Sequence, residues 1–236
     1  DLVSSDKTII VVNKSDEIDT FIDTLLNLHF LDIDRIKDKK FKVVIDTVNG
    51  ANYHLLPYIL NQLNCQVIKV FCNDSGKFNR NPEPLAENLN VLSEKVIENN
   101  ADIGLACDPD GDRLSIIDEK GNPMGEESTL VLCADDYYNE THSSSPLVTN
   151  LSSTMCLDYI AKKHTVEIFR SPVGEANVIK LMKEKNAFVG GEGNGGVVMK
   201  EFHLGRDSLI AAVMLLNKLS KNDDQTLSET IKDIPQ

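Results

Sequence analysis

Asp102–Asp118 (DIGLACDPDGDRLSIID) decides the fold. Asp102–Cys107 and Leu114–Asp118 are short apolar runs on either side of the six-residue loop Asp108–Arg113, which holds three aspartates. Runs of this length bounded by turn-formers read as buried strands. Six residues are too few for a crossover between parallel strands, so the second strand must return antiparallel to the first. Upstream, Lys42–Asp46 (KVVID) is another buried strand, closed by the turn signal Asn49-Gly50. A helix over Ala51–Leu63, a strand Val67–Phe71, a polar loop Asn79–Pro84 with two prolines and a helix over Leu85–Asn99 connect the two regions. Downstream, Gly121 turns the chain into a helix over Glu127–Tyr138.

After the polar stretch Asn139–Pro146 (NETHSSSP), expected to be a linker, the same order recurs. It predicts a strand Leu147–Asn150, a helix Thr154–Lys163, a strand Val166–Phe169, a helix Gly174–Lys185 and a strand Ala187–Gly190. The loop Gly191–Gly196, a strand Val197–Lys200 and a helix Asp207–Leu219 complete it. Two α/β units of one kind are therefore expected side by side, each with a mixed, mostly parallel sheet flanked by helices. Residues 1–40 form a helical lead-in, with Ile18, Phe21, Ile22, Leu25 and Leu26 at helical spacing and Ser15 or Asp16 as cap. The first unit is 41–140 and the second 141–236. The loops Asp108–Arg113 and Gly191–Gly196 occupy equivalent places, and ligands of α/β sheets gather beyond strand ends, so both could face one cleft.

Composition narrows the function. The 236 residues are 41% hydrophobic and 26% charged, with 24 basic against 37 acidic side chains and a formal charge of −13. That balance argues against nucleic acid or an anionic membrane as partner. The longest apolar run, Leu209–Leu216, is far short of a membrane span. Five scattered cysteines without a CxxC pair suit a reducing, cytoplasmic setting and make neither a disulfide framework nor a zinc site. The chain begins at Asp1 and reads as a piece of a longer protein.

Asp108, Asp110 and Asp112 alternate through a loop stiffened by Pro109 and turned at Gly111. Such carboxylates repel one another unless a cation sits among them, and an oxygen-only donor set favours Mg²⁺, Ca²⁺ or Mn²⁺. An EF-hand is excluded: its sixth position requires Gly, where Arg113 stands, and its flanks should be helices. A haloacid-dehalogenase-like phosphatase, with Asp108 as nucleophile, is the alternative; Asp112 stands where that family has Thr or Val. A non-catalytic metal or sugar-phosphate binding module is a third reading. Gly190–Gly196 contains five glycines, with Glu192 and Asn194 as its polar side chains. It is neither a P-loop nor a dinucleotide fingerprint, since no Gly-Lys-Ser/Thr follows and no helix begins there. A carboxylate and an amide beside the glycines Gly191 and Gly193 suit sugar hydroxyls.

Together these residues resemble the α-D-phosphohexomutases, the family of phosphoglucomutase, phosphomannomutase and phosphoglucosamine mutase. The stretches carrying the resemblance are Val44–Ala51 (VIDTVNGA), Asn81–Pro84 (NPEP), Asp108–Arg113 (DPDGDR) and Gly191–Gly196 (GEGNGG), supported by Arg170–Val178 and Gly205-Arg206-Asp207. It implies an enzyme of four domains around one cleft, of which this chain looks like the second and third. The missing N- and C-terminal domains would bring a phosphoserine and a phosphate-binding loop. It further implies Mg²⁺ on Asp108, Asp110 and Asp112, Arg113 beside the transferring phosphoryl group, and Glu192, Asn194, Gly191, Gly193 and Arg206 at the hexose phosphate. Many members have Ser at Asn194 followed by His, where Gly195-Gly196 stands here, and some carry a substrate-contacting His at Glu175. The resemblance thus implies interconversion of hexose 1- and 6-phosphates through a bisphosphorylated sugar, with the fragment inactive alone. Thr141–Pro146 (THSSSP) has the wrong order for the family's serine loop, so Ser143, Ser144 and Ser145 receive no catalytic role. An acidic chain that takes a phosphosugar needs local positive charge, for which Arg80, Arg113, Arg170 and Arg206 are candidates. The five histidines show no ligand spacing, and His203 is expected to be structural.

Overall fold

Lys42–Asp46 (β1) lies at the heart of the first sheet because both its faces are covered. In the computed structural model, which describes residues 15–221 and 225–234, Val43 and Ile45 face one hydrophobic cluster and Val44 faces another. A strand buried on both sides reads as a continuous apolar run. Two helices precede it, α1 (Ser15–Leu26) and α2 (Ile33–Lys39). Residues 1–14 of the expected lead-in lie outside the described residues. The first unit continues with α3 (Leu55–Gln62), β2 (Gln66–Val70), α4 (Asn90–Asn99), β3 (Ile103–Cys107) and β4 (Leu114–Ile117). Its sheet order is β2-β1-β3-β4, with β1 parallel to β2 and β3, and β4 antiparallel to β3.

Next come α5 (Glu127–Thr141), β5 (Leu147–Asn150), α6 (Cys156–Lys163), β6 (Ile168–Ser171), α7 (Glu175–Lys185), β7 (Val189–Glu192), β8 (Gly196–Met199), β9 (His203–Arg206), α8 (Ser208–Ser220) and α9 (Leu227–Thr230). The second sheet runs β6-β5-β7-β8-β9; β5 is parallel to β6 and β7, while β8 is antiparallel to both its neighbours. Helix α8 is buried almost all round, from Ser208 to Asn217 without a break. A helix apolar on every side needs cover on every side. It finds that cover between the units, against α2, α3 and β4 on one side and α5 and β8 on the other. One hydrophobic cluster consequently holds Val43 and Leu105 of the first sheet together with Val189 and Val197 of the second.

Several boundaries differ from expectation. The helix expected over Ala51–Leu63 is a 3₁₀ turn at Ala51–Tyr53 followed by α3, and the one expected from Leu85 is a 3₁₀ turn at Ala86–Asn88 followed by α4. In the first case the backbone is held back because Ala51 N donates to the Pro109 carbonyl at 2.8 Å. Helix α5 runs on through Thr141, so part of the expected linker is helical, and His142 ends it in the left-handed region. Strand β9 and helix α9 add to the expected elements. Among the described residues no helix is long and apolar enough to cross a membrane.

Candidate active site

The acidic loop is tied down from both units. Gly111 has φ +78° and packs against Asn52, where a Cβ would collide with the amide. Its carbonyl accepts from Ser208 Oγ at 2.7 Å, Ser208 N at 3.2 Å and Asn52 Nδ2 at 3.2 Å. Ser208 is the first residue of α8, so the start of that helix in the second unit braces the loop of the first. Within the loop, Asp108 is buried and both its oxygens accept from Arg113: Oδ1 from the backbone N at 3.1 Å and Oδ2 from Nε at 2.7 Å. Arg113 also forms a fork with Glu83, with Nη1–Oε2 at 2.7 Å and Nη2–Oε1 at 3.2 Å.

One carboxylate oxygen from each of Asp108, Asp110 and Asp112 lies within 4.8 Å of the others. Burial and the neighbouring Asp108 push Asp112 up to about 7 and raise Asp110 as well. Burial alone would raise Asp108 too, but the hydrogen bonds from Arg113, together with those shared with Asp110 and Asp112, hold that carboxyl below its ordinary value. Asp112 Oδ1 is buried without a hydrogen-bond partner, 3.6 Å from Arg113 Nε. Crowded carboxylates, one with an orphaned oxygen, form a hard donor set that fits Mg²⁺.

The glycine stretch is a hairpin whose tip is shorter than the expected loop Gly191–Gly196. Gly191 pairs with Val197 and Glu192 with Gly196, so only three residues remain at the tip. Glu192 therefore sits at the end of β7, buried, with its carboxylate held from several directions. Oε1 accepts from Asn150 Nδ2 at 2.7 Å and from Gly174 N at 2.9 Å, and Oε2 accepts from Arg206 Nη1 at 2.8 Å. Asn194 is half-buried; its Oδ1 accepts from Gly196 N at 3.3 Å, which leaves its amide N–H groups for a ligand. Gly195, at φ +90°, presents its carbonyl to Leu114 N at 3.1 Å, joining the hairpin to the strand that follows the acidic loop. A Cβ there would lie 2.5 Å from the Leu114 carbonyl oxygen. Gly195→Ala is thus expected to destabilise by about 1–3 kcal/mol, read as a lowered urea midpoint, because both the backbone region and the space disfavour a side chain.

Arg206 brings the two loops together. Nη2 donates to Asp112 Oδ2 and Nη1 to Glu192 Oε2, while Arg206 N donates to Glu175 Oε1 at 2.8 Å. The other arginines separate by role. Arg80 pairs with buried Asp46 at 2.8 Å and donates to the carbonyls of Asn81, Pro82 and Cys107. Arg170 donates to the carbonyls of Asn150, Ser153 and Thr154 and pairs with Asp158 at 2.5 Å. These two hold loops in shape; Arg113 and Arg206 carry the positive charge of the site. His203 lies 2.9 Å from Asp207, whose other oxygen caps α8. Sequence reading missed Asn52, Asn150 and Ser208 and gave Glu83 no role, since each acts through contacts distant along the chain.

The family model for phosphoglucomutase/phosphomannomutase, alpha/beta/alpha domain II, matches residues 19–121, and that for domain III matches residues 125–236. A phosphoglucomutase/phosphomannomutase of Thermococcus kodakarensis is 37% identical over 226 residues, covering 95% of this chain and 49% of the relative. A phosphoglucosamine mutase of Nitratidesulfovibrio vulgaris is 35% identical over 189 residues, covering 80% of this chain and 42% of the relative. The chain thus spans about half the length of the curated relatives it matches. Among solved structures, a putative phosphomannomutase from Thermus thermophilus has the same fold, with TM-score 0.83 and 23% identity over 92% of this chain and 49% of that one. With both sheets, the acidic loop and the glycine hairpin in this arrangement, the chain belongs to the phosphoglucomutase/phosphomannomutase family.

Proposed function

We propose that the polypeptide carrying this chain interconverts hexose 1-phosphate and hexose 6-phosphate, with Mg²⁺ held by Asp108, Asp110 and Asp112. The observation that supports this most is the pairing, through Arg206, of the aspartate cluster of one unit with Glu192 of the other. In this reading a phosphoserine outside these residues breaks its P–O bond as one sugar oxygen takes the phosphoryl group. The bisphosphate then turns, and its other phosphoryl group returns to the serine. The ion would neutralise phosphate charge where it develops.

The remaining work falls to side chains of this chain. Arg113 spends three of its donors on Asp108 and Glu83, which leaves two N–H groups for phosphoryl oxygens. Glu83 and Asp108 fix the guanidinium in place, so little reorganisation is needed at transfer. Glu192 Oε1 is fully used by its two donors, so Oε2 is the oxygen that accepts a sugar hydroxyl. Asn194 offers donors beside it. These contacts recognise hydroxyls common to hexoses, which suits a substrate bound in two orientations. The phosphatase reading is disfavoured, since both family models that match this chain are those of phosphoglucomutase/phosphomannomutase domains.

Phosphorus NMR of the intact polypeptide with Mg²⁺ and glucose, mannose or glucosamine 1-phosphate tests the proposal. The 6-phosphate is expected to grow at the expense of the 1-phosphate and to stop when the metal is chelated. The 236 residues alone are expected to bind the ion without turnover. Release of inorganic phosphate, with a beryllium fluoride adduct on Asp108, would instead establish the phosphatase. Binding of sugar phosphate without either product would establish a binding module.

A further inference from the structure

Arg206 belongs to the second unit but is shared with the first. Its side chain is 16% exposed and lies between three carboxylates, those of Asp112, Glu192 and Glu175. The ion pair with Asp112 is incomplete at both ends. Arg206 Nε is buried without a hydrogen-bond partner, 3.7 Å from Glu175 Oε2, and Asp112 Oδ1 is also buried and unpartnered. Leaving a charged donor and acceptor unmade in a buried site is unfavourable, so each has an interaction still to gain.

A cation on Asp112 changes that balance. It neutralises the carboxylate that attracts the guanidinium and repels the guanidinium itself. The freed Nη2 and the unpartnered Nε together form the flat two-donor edge that suits a phosphate or a vicinal oxygen pair. Glu192 keeps the other edge through Nη1, so release from Asp112 need not move the residue out of the cleft.

We infer that Arg206 is a coupling residue: bound to Asp112 it competes with the divalent ion, and once displaced it serves the sugar phosphate at Glu192. Metal affinity and sugar-phosphate affinity are thereby linked across the two units. The linkage is reciprocal, since each ligand must raise the affinity of the other by the same factor. It rests on the function proposed above, because that reading supplies the anionic ligand.

Mn²⁺ binding to the intact polypeptide, followed by the EPR signal of the free ion, is the test. Mn²⁺ takes the same oxygen donors as Mg²⁺. It is titrated with and without saturating glucose 6-phosphate into wild type, Arg206→Gln and Arg206→Lys, with melting temperatures recorded alongside. In wild type the sugar phosphate is expected to tighten Mn²⁺ about tenfold. Arg206→Gln is expected to bind Mn²⁺ alone about tenfold more tightly, with less than about a twofold further change on adding the sugar phosphate. Arg206→Lys keeps the charge but has a single ammonium for two carboxylates, so it is expected to lose more than half of the coupling.

Weaker Mn²⁺ binding by Arg206→Gln at an unchanged melting temperature would overturn the inference, because Arg206 would then be orienting Asp112 for the ion. Coupling that persists in Arg206→Gln would overturn it equally. Should that variant not fold, wild-type coupling in Arg206→Lys overturns it. Glucose 6-phosphate and Mn²⁺ that bind wild type independently remove the linkage alone. Failure of glucose, mannose and glucosamine 6-phosphates to bind wild type at all removes the mutase reading and the linkage with it.

Discussion

Asp110→Ala is expected to lower kcat/KM for hexose 1-phosphate by about 10²–10³-fold in the intact polypeptide, with no loss of thermal stability. The three aspartates are unequal in this respect. Asp108 anchors Arg113 by two hydrogen bonds and Asp112 anchors Arg206, so removing either also frees an arginine. Asp110 is exposed and sits at the tip of the cluster, so its loss removes little packing. What remains is its carboxylate, which partial desolvation beside the loop and neighbouring Asp108 hold above its ordinary pKa. Removing a charge that its neighbours repel leaves the apo fold as stable as before or more so. The same removal takes one of the oxygens that would hold the ion, and phosphoryl transfer leans on such electrostatics. Steady-state kinetics beside a melting curve therefore separate function from folding. A drop in activity matched by a drop in melting temperature would make Asp110 a structural residue.

The sequence carried some of this architecture and concealed the rest for physical reasons. Strands β1 and β3 are legible because they are covered on both faces and read as unbroken apolar runs. The reversal of β4 is legible because Asp108–Arg113 is too short for anything else. Strand β9 is not, since His203–Arg206 is half-buried throughout and shows no alternation. The glycines around Glu192 read as a loop over Gly191–Gly196, yet a glycine can pair in a ladder as well as bend, and Gly191 pairs with Val197. A buried Glu192 at a strand end is a firmer support than a loop tip. Arg80 and Arg170 resemble Arg113 and Arg206 by type and by motif context, and only their carbonyl partners show that they brace loops. The meeting of Asp112 with Arg206, 94 positions apart, depends on how α8 packs between the units. Local pattern has no access to such a contact.

Asp135→Ala is expected to destabilise the protein by about 3–5 kcal/mol at neutral pH, although it lies on α5 and carries no part of the proposed chemistry. Asp135 is buried with an ammonium on each oxygen: Lys163 lies 2.7 Å from Oδ1, beside His164 Nε2 at 2.7 Å, and Lys218 lies 2.6 Å from Oδ2. Lys163 ends α6, His164 follows it directly and Lys218 lies on α8, so the carboxylate on α5 ties together the helices that cover the second sheet. Lys218 is only 11% exposed, and without Asp135 its ammonium keeps the burial but loses the counter-charge. Lys163 is 41% exposed, so Lys163→Ala is expected to lower stability by less than about 1 kcal/mol. The pH dependence follows from the direction of the shift. Burial alone would raise the Asp135 pKa, but Lys218, then Lys163 and His164, hold it well below the ordinary value. A carboxyl with a lower pKa in the folded state contributes stability above its unfolded pKa, about 3.9, and loses it as the pH falls toward the folded value. Urea unfolding at pH 7 and again below pH 4 should therefore show the gap between wild type and Asp135→Ala narrowing in acid. A gap that stays constant would mean that Asp135 acts through its shape and not its charge, and Asp135→Asn would then be as stable as wild type.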